Sequence, residues 1–254
     1  MTAKKSRLPL FLSLLVGLVV LATIIGYVML GTAVKKGVNR FAPELTGTPV
    51  TLANASLSPL TGSGELTGLF VGNPAGWTGD KLAYLGKIHV DVAPMSLLGD
   101  TIVVRDITIE QPEFVYETRL VSSNLKALTD HIESVVGAGP GTTPATSSGP
   151  AKKIAVQSFV LRDAKVSLIA AGTTLELPLP TIELHDLGTP ENGLTPSQLA
   201  LAVSKQLLQD IAAATASVVA DGRLNLNNAS DAVNKVGDTL KGLFGGKKDP
   251  EPRP

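Results

Sequence analysis

The sequence predicts a mainly β protein with some α: an N-terminal transmembrane helix, then a curled, groove-like antiparallel β-sheet, and C-terminal amphipathic helices. Three observations carry this prediction. "LPLFLSLLVGLVVLATIIGYVML", Leu8 to Leu30, runs without a charged residue. Stretches such as "GKIHVDVAP" alternate apolar and polar residues with the period of two of a strand that buries one face. "LTPSQLALAVSKQLLQDIAAATASVVA" places apolar residues at helical spacing behind a start rich in capping residues.

Composition narrows the function classes. With 254 residues, 44% of them apolar, the chain can bury a sizeable core. Lys plus Arg equals Asp plus Glu at 22 each, so no net field draws nucleic acid, and 4% aromatic residues make a poor base-stacking surface. The lack of cysteine excludes disulfides, thiolate metal sites and a cysteine nucleophile.

In chain order, residues 1–41 are expected to form a cytoplasmic stub and an anchor helix. At about 1.5 Å per residue, Leu8 to Leu30 is long enough for the roughly 30 Å hydrocarbon core. It also exceeds the roughly 7 to 15 apolar residues of a cleaved signal peptide, the rival reading that Gly31-Thr32-Ala33 offers. Lys4, Lys5 and Arg7 before it nearly cancel Lys35, Lys36 and Arg40 after it in the positive-inside rule. The free amino terminus tips the orientation toward N-inside. Ala33 to Phe41 prolongs the helix, which Pro43, Gly47 and Pro49 end.

The body is expected to begin near Val50. Its first β-rich part, 50–136, opens with "SLSPLTGSGELTGLFVGNPAGW", whose glycines and prolines mark turns between short strands. Ile88, Val90 and Val92 share one strand face. Ile102 and Val104 have the opposite parity to Ile107 and Ile109, so a bulge near Arg105 and Asp106 is needed to bring them to one side. Phe114 and Tyr116 follow in another short strand, and Leu125, Leu128, Ile132 and Val136 form a helical stripe with Ser123 as N-cap. "GAGPGTTPATSSGPAKK", 137–153, reads as a disordered linker.

The second part, 154–228, repeats the theme. Ile154, Val156 and Val160 recur at even spacing, then Val166 and Leu168, then Leu175, Leu177 and Leu179, then Ile182 and Leu184. Pro178 and Pro180 lack an amide donor and confine their strand to an edge or to a sheet with few neighbours. Thr195 as N-cap, Pro196 at the first helical position and Gln198 in a capping box start a long helix with Leu199, Val203, Leu207, Ile211 and Val218 near one face. Residues 229–254 hold a last amphipathic stretch and a tail, "GGKKDPEPRP", expected to be disordered.

A search for chemistry finds no catalytic set. The histidines are His89, His131 and His185, each on the polar side of its element and none spaced with a second ligand, so no metal is expected. "GSGELTG", 62–68, has Thr67 where a dinucleotide loop needs its third glycine, and no helix start follows. Asp106 with Glu110, and Glu113 with Glu117, are carboxylate pairs of the kind an exposed strand face supplies. Neither an enzyme activity nor a cofactor is expected. What remains is more apolar strand face than the helices evidently cover, which must line a core or receive an apolar ligand.

The segment "VTLANASLSPLTGSGELTGLFVGNPAGW", followed by "KIHVDVAPMSLLGDTIVVRDITIEQPEFVYE" and "NLKAL", resembles the N-terminal region of bacterial AsmA-like envelope proteins, relatives of the chorein-type lipid-transfer grooves. "FVLRDAKVSLI" and "LELPLPTIELHDLG" resemble the same theme again. The resemblance implies a single-pass protein of the bacterial inner membrane with its body in the periplasm, binding phospholipid in an apolar groove and serving envelope lipid homeostasis or outer-membrane biogenesis. Ile88, Val90, Val92, Ile102, Val104, Val156, Val160, Leu175, Leu177, Leu179, Ile182 and Leu184 would then face lipid. A larger envelope protein is a possible partner. About ten strands at roughly 4.8 Å give about 50 Å of groove, too short to bridge two membranes. The alternative is a structural or interaction protein of the envelope that carries no lipid, its apolar faces buried under the helix from Thr195.

Overall fold

The computed structural model describes residues 8–119, 122–137, 152–170 and 172–220. Among these residues, three α-helices, α1 (Leu8–Thr46), α2 (Asn124–Gly137) and α3 (Pro196–Ala220), accompany one ten-stranded sheet. The strands are β1 (Val50–Leu57), β2 (Ser63–Gly72), β3 (Lys81–Val92), β4 (Thr101–Glu110), β5 (Glu113–Arg119), β6 (Ser122–Ser123), β7 (Lys153–Arg162), β8 (Lys165–Ala170), β9 (Thr173–Pro178) and β10 (Ile182–Leu187). Of the linker expected at 137–153, Gly137 ends α2 and Lys153 starts β7, and 138–151 lie outside the described residues, as do 1–7 and 221–254.

The sheet is narrower than its strand count suggests. β5 continues the line of β4, β8 that of β7, and β10 that of β9, so the chain crosses the sheet six times, with β6 a short addition beside β5. Two rows of core residues in register run through all six crossings. One is Ala55, Leu66, Ile88, Ile109, Leu161 and Ile182. The other is Val50, Val71, Ala83, Phe114, Val166 and Leu177. The five spacings between six crossings, at roughly 4.8 Å each, span about 24 Å, about half the expected groove.

Between these rows every crossing switches the parity that faces the core. Leu52 gives way to Ala55, Leu66 to Leu69, Leu85 to Ile88, Ile109 to Phe114, Leu161 to Val166, and Leu179 to Ile182. Strict alternation cannot do this, so the backbone must depart from regular strand at the line. On three of the six crossings Gly68 (φ 65°), Gln111 (φ 51°) and Asp163 (φ 54°) supply that departure with left-handed backbone. Backbone bonds stitch the line together, from Gln111 N–H to Arg162 O, Lys165 N–H to Pro112 O and Leu179 N–H to Ala164 O. Such residues bend a strand and increase its twist, which folds the sheet along the line. The expected bulge near Arg105 is also present. Asp91 pairs with Asp106 and Val92 with Val104, so the Arg105 backbone has no register partner on β3.

The sheet is mixed, not antiparallel throughout. β4 pairs with β7 and β5 with β8 in parallel, so the two β-rich parts form one sheet. The reason lies in the connection: the chain between β5 and β7 includes α2 and is long enough to return to the starting end, as a parallel pair requires. Pro178 sits in β9, at the end of the strand order, as its missing amide donor demands.

The opposite edge, β1, is covered by α1, which corrects the expectation for the N-terminus. Among the described residues no helix is long and apolar enough to cross a membrane. The transmembrane anchor over Leu8–Leu30 is therefore not upheld, nor is the single-pass inner-membrane location with a periplasmic body that rested on it. A span needs about 20 consecutive apolar residues. The part of α1 from Gly26 onward instead runs into Lys35, Lys36, Arg40 and Glu44, while Leu30, Val34, Val38 and Leu45 pack against the core. The Asn39 carboxamide bonds both backbone groups of Leu52, accepting from its N–H at 2.6 Å and donating to its carbonyl at 3.3 Å. The body thus includes the second half of α1 and does not begin at Val50.

Candidate functional site

The apolar face of the bent sheet is the largest candidate surface, and the helices fill it. Both local start signals operate. Ser123 Oγ accepts from Lys126 N–H at 3.1 Å to cap α2. Thr195 and Gln198 exchange bonds, from Gln198 N–H to Thr195 Oγ1 at 3.2 Å and from Thr195 N–H to Gln198 Oε1 at 2.9 Å. Started there, α3 packs on α2 and reaches β7. Ile211 is 1% exposed, and Leu199, Val203 and Leu207 pack against the same cluster as the sheet rows. Leu125, Leu128 and Ile132 of α2 complete the cover.

The twelve residues proposed to face lipid are divided by this packing. Ile88, Val92, Val104, Val156, Leu177, Leu179 and Ile182 are buried in the core. Val90, Ile102, Leu175 and Leu184 are half-buried against it. Val160 lies on the other face, between Thr108 and Glu183 in register, because β7 switches parity and turns Phe159 and Leu161 inward.

The outer face carries cross-strand charge rows. Thr67, Lys87, Glu110 and Arg162 are register neighbours, and the Arg162 guanidinium hydrogen-bonds Glu110. That bond and the charge behind it hold the Glu110 carboxyl below its ordinary value and raise Arg162. Lys81 does the same to Glu113 across 2.7 Å. The nearest approach to a nucleophile is Ser158, which donates to Asp106 Oδ1 at 3.0 Å and faces His185 in register. The His185 ring lies beside Glu183, 3.8 Å from Nε2 to Oε2, while the Ser158 hydroxyl donates to Asp106 and not to the imidazole. Among the described residues, no group of three or more His, Asp or Glu comes together as metal ligands.

A polar knot ties the loop 73–80 to β5 and α2, and sequence reasoning missed it. Asn124 is fully buried and makes four hydrogen bonds: its oxygen accepts from Glu117 N–H and Leu125 N–H, and its nitrogen donates to Asn73 Oδ1 and Val115 O. Glu117, expected on an exposed face, is 5% exposed. Burial pushes its carboxyl up, but Thr78 N–H at 2.7 Å, the Arg119 guanidinium and the Thr78 hydroxyl together hold it below its ordinary value. Arg119 stacks on Trp77, 4.4 Å from the ring centre, and donates to Gly76 O. The signal was in the stripe itself: Asn124 precedes Leu128 and Ile132 by one and two helical turns, where only an amide with internal partners can sit. Among the described residues, every buried side-chain nitrogen and oxygen has a partner, so the knot holds a loop and aims no group at a ligand. No family model and no curated protein matches the chain.

Proposed function

We propose that the protein is a non-enzymatic structural or interaction module whose apolar sheet face is filled by its own helices. One observation carries this reading. Seven of the residues that a lipid groove would expose are buried in the single core cluster that also contains Ile132 and Ile211. An acyl chain gains about 0.8 kcal/mol per buried methylene only where that surface is open. A second reading, lipid held in an AsmA-like groove, draws support from the half-buried Val90, Ile102, Leu175 and Leu184.

Extraction of the purified full chain for phospholipid separates the two, read together with the thermal midpoints of Val156→Asp and Val90→Asp. The closed module predicts no stoichiometric lipid in the wild type and loss of folding for Val156→Asp, whose burial is complete. Stoichiometric phospholipid in the wild type, lost in Val90→Asp with the midpoint retained, supports the groove instead.

A further inference from the structure

The strand ends opposite the polar knot carry a second feature, made of two interlocked loops. The turn from β1 to β2, Ser58 to Gly62, is closed by a bond from Gly62 N–H to Ser58 O, and Gly62 O accepts from Val92 N–H. A side chain on Gly62 would meet Val92 O at 1.7 Å and Pro94 Cδ at 3.2 Å, so this turn and the 3-10 turn Pro94–Leu98 are in direct contact. Ser96 Oγ locks the second turn by donating to Ala93 O and accepting from Val103 N–H. These rigid turns hold large apolar side chains in solvent: Leu60 is 68% exposed, Met95 79% and Leu98 83%. α1 passes the same end, with Gly26 against Pro59, and adds exposed Tyr27, Val28 and Met29.

Cations lie just behind the apolar tips. Lys152 Nζ donates to Leu97 O in the 3-10 turn, and Lys153 starts β7 beside it. Lys35 and Lys36 line a cleft between α1 and β1 with Tyr27 and Asn54. Asp100 and Glu191 are the acidic residues of the neighbouring loops. Apolar tips in front of an excess of lysines match the layering of a lipid surface, with acyl chains beneath anionic phosphates.

We propose that this end of the protein docks on an anionic lipid surface, with Leu60, Met95 and Leu98 inserted at the headgroup boundary. The contact needs no helix to cross the bilayer, and it rests on the reading of the protein as an interaction module by naming its partner.

The chain has no cysteine, so single labels report each site cleanly. Leu60→Cys, Leu98→Cys and, at the opposite end, the exposed Thr173→Cys are each labelled with an environment-sensitive fluorophore in the full chain. They are then mixed with vesicles of phosphatidylcholine and phosphatidylglycerol. The expected result is a blue shift at positions 60 and 98 and none at 173, weaker on phosphatidylcholine alone, with flotation of Leu60→Ser/Leu98→Ser reduced about tenfold. Flotation without a shift at 60 and 98 overturns the proposal, because another part of the chain then makes the contact. Absence of flotation overturns it as well. A shift without vesicles that grows with protein concentration also overturns it and assigns the patch to a second copy. Phospholipid extracted from the core would refute the closed module alone and leave the label positions to report separately.

Discussion

The Asn39 side chain pairs with both backbone groups of Leu52, thirteen positions further along, and so closes the exposed edge of β1 with a helix instead of another strand. An open edge exposes donors and acceptors that invite another chain. Leu52 is 1% exposed, so truncation of Asn39 leaves its N–H and carbonyl buried without partners. Asn39→Ala is expected to lower unfolding stability by about 1–3 kcal/mol in urea titrations. Lys36→Ala, at another exposed position of the same helix, should stay within about 0.5 kcal/mol of wild type. Equal effects of the two would show that the Asn39 bonds contribute nothing to stability.

Glu117 gives the protein a specific acid sensitivity. Its carboxyl titrates in the folded state below the ordinary value of 4.5, so the folded state favours the ionised form. That contribution is present above the unfolded value and is lost as pH falls through the lowered folded value. Glu117→Gln should therefore cost about 1–3 kcal/mol near pH 7 and progressively less below about pH 4.5. Urea midpoints across that range measure it, and a difference that does not shrink on acidification would remove the ionised carboxylate as its cause.

Gly68 and Gly86 sit at the same bend line but differ in what they require. A Cβ at Gly68 would lie 2.8 Å from Ala53 Cβ, on backbone at φ 65°. At Gly86 the nearest atom is Tyr84 Cε1 at 3.9 Å. Gly68→Ala is expected to cost about 1–2 kcal/mol from backbone alone, with the contact adding to it. Gly86→Ala should be neutral or stabilising by up to about 1 kcal/mol. Thermal midpoints of the two variants give the comparison.

The capping box at α3 sets where the helical cover starts. Thr195→Ala is expected to cost about 1 kcal/mol. Because Thr195 and Gln198 bond reciprocally, Thr195→Ala/Gln198→Ala should cost less than the sum of the single changes. A double-mutant cycle by urea unfolding measures the coupling, and strict additivity would show that the two bonds do not act together.

Features of short range were legible in the sequence. The caps at Ser123 and Thr195, the bulge at Arg105 and the edge position of Pro178 each follow from a few neighbouring residues, and each is present. The parity of Ile88, Val90 and Val92 was legible for the same reason. Val160 was misplaced because its even spacing from Val156 assumed an unbroken alternation, which β7 interrupts. Glu117 looked exposed because its partners, Thr78 and Asn124, reach it only after the sheet and α2 are in place.

The sequence by itself determined where strands and helices start and which face of most strands is apolar, since alternation, capping and proline chemistry act within one or two turns of chain. Only the tertiary structure decided that ten strands make six crossings, that two pairs run parallel, and that one bend line passes through Gly68, Gln111 and Asp163. It also decided that α1 closes an edge and that α2 and α3 fill the apolar face. These features depend on register between segments far apart in sequence, and periodicity within one strand carries no information about which partner lies beside it.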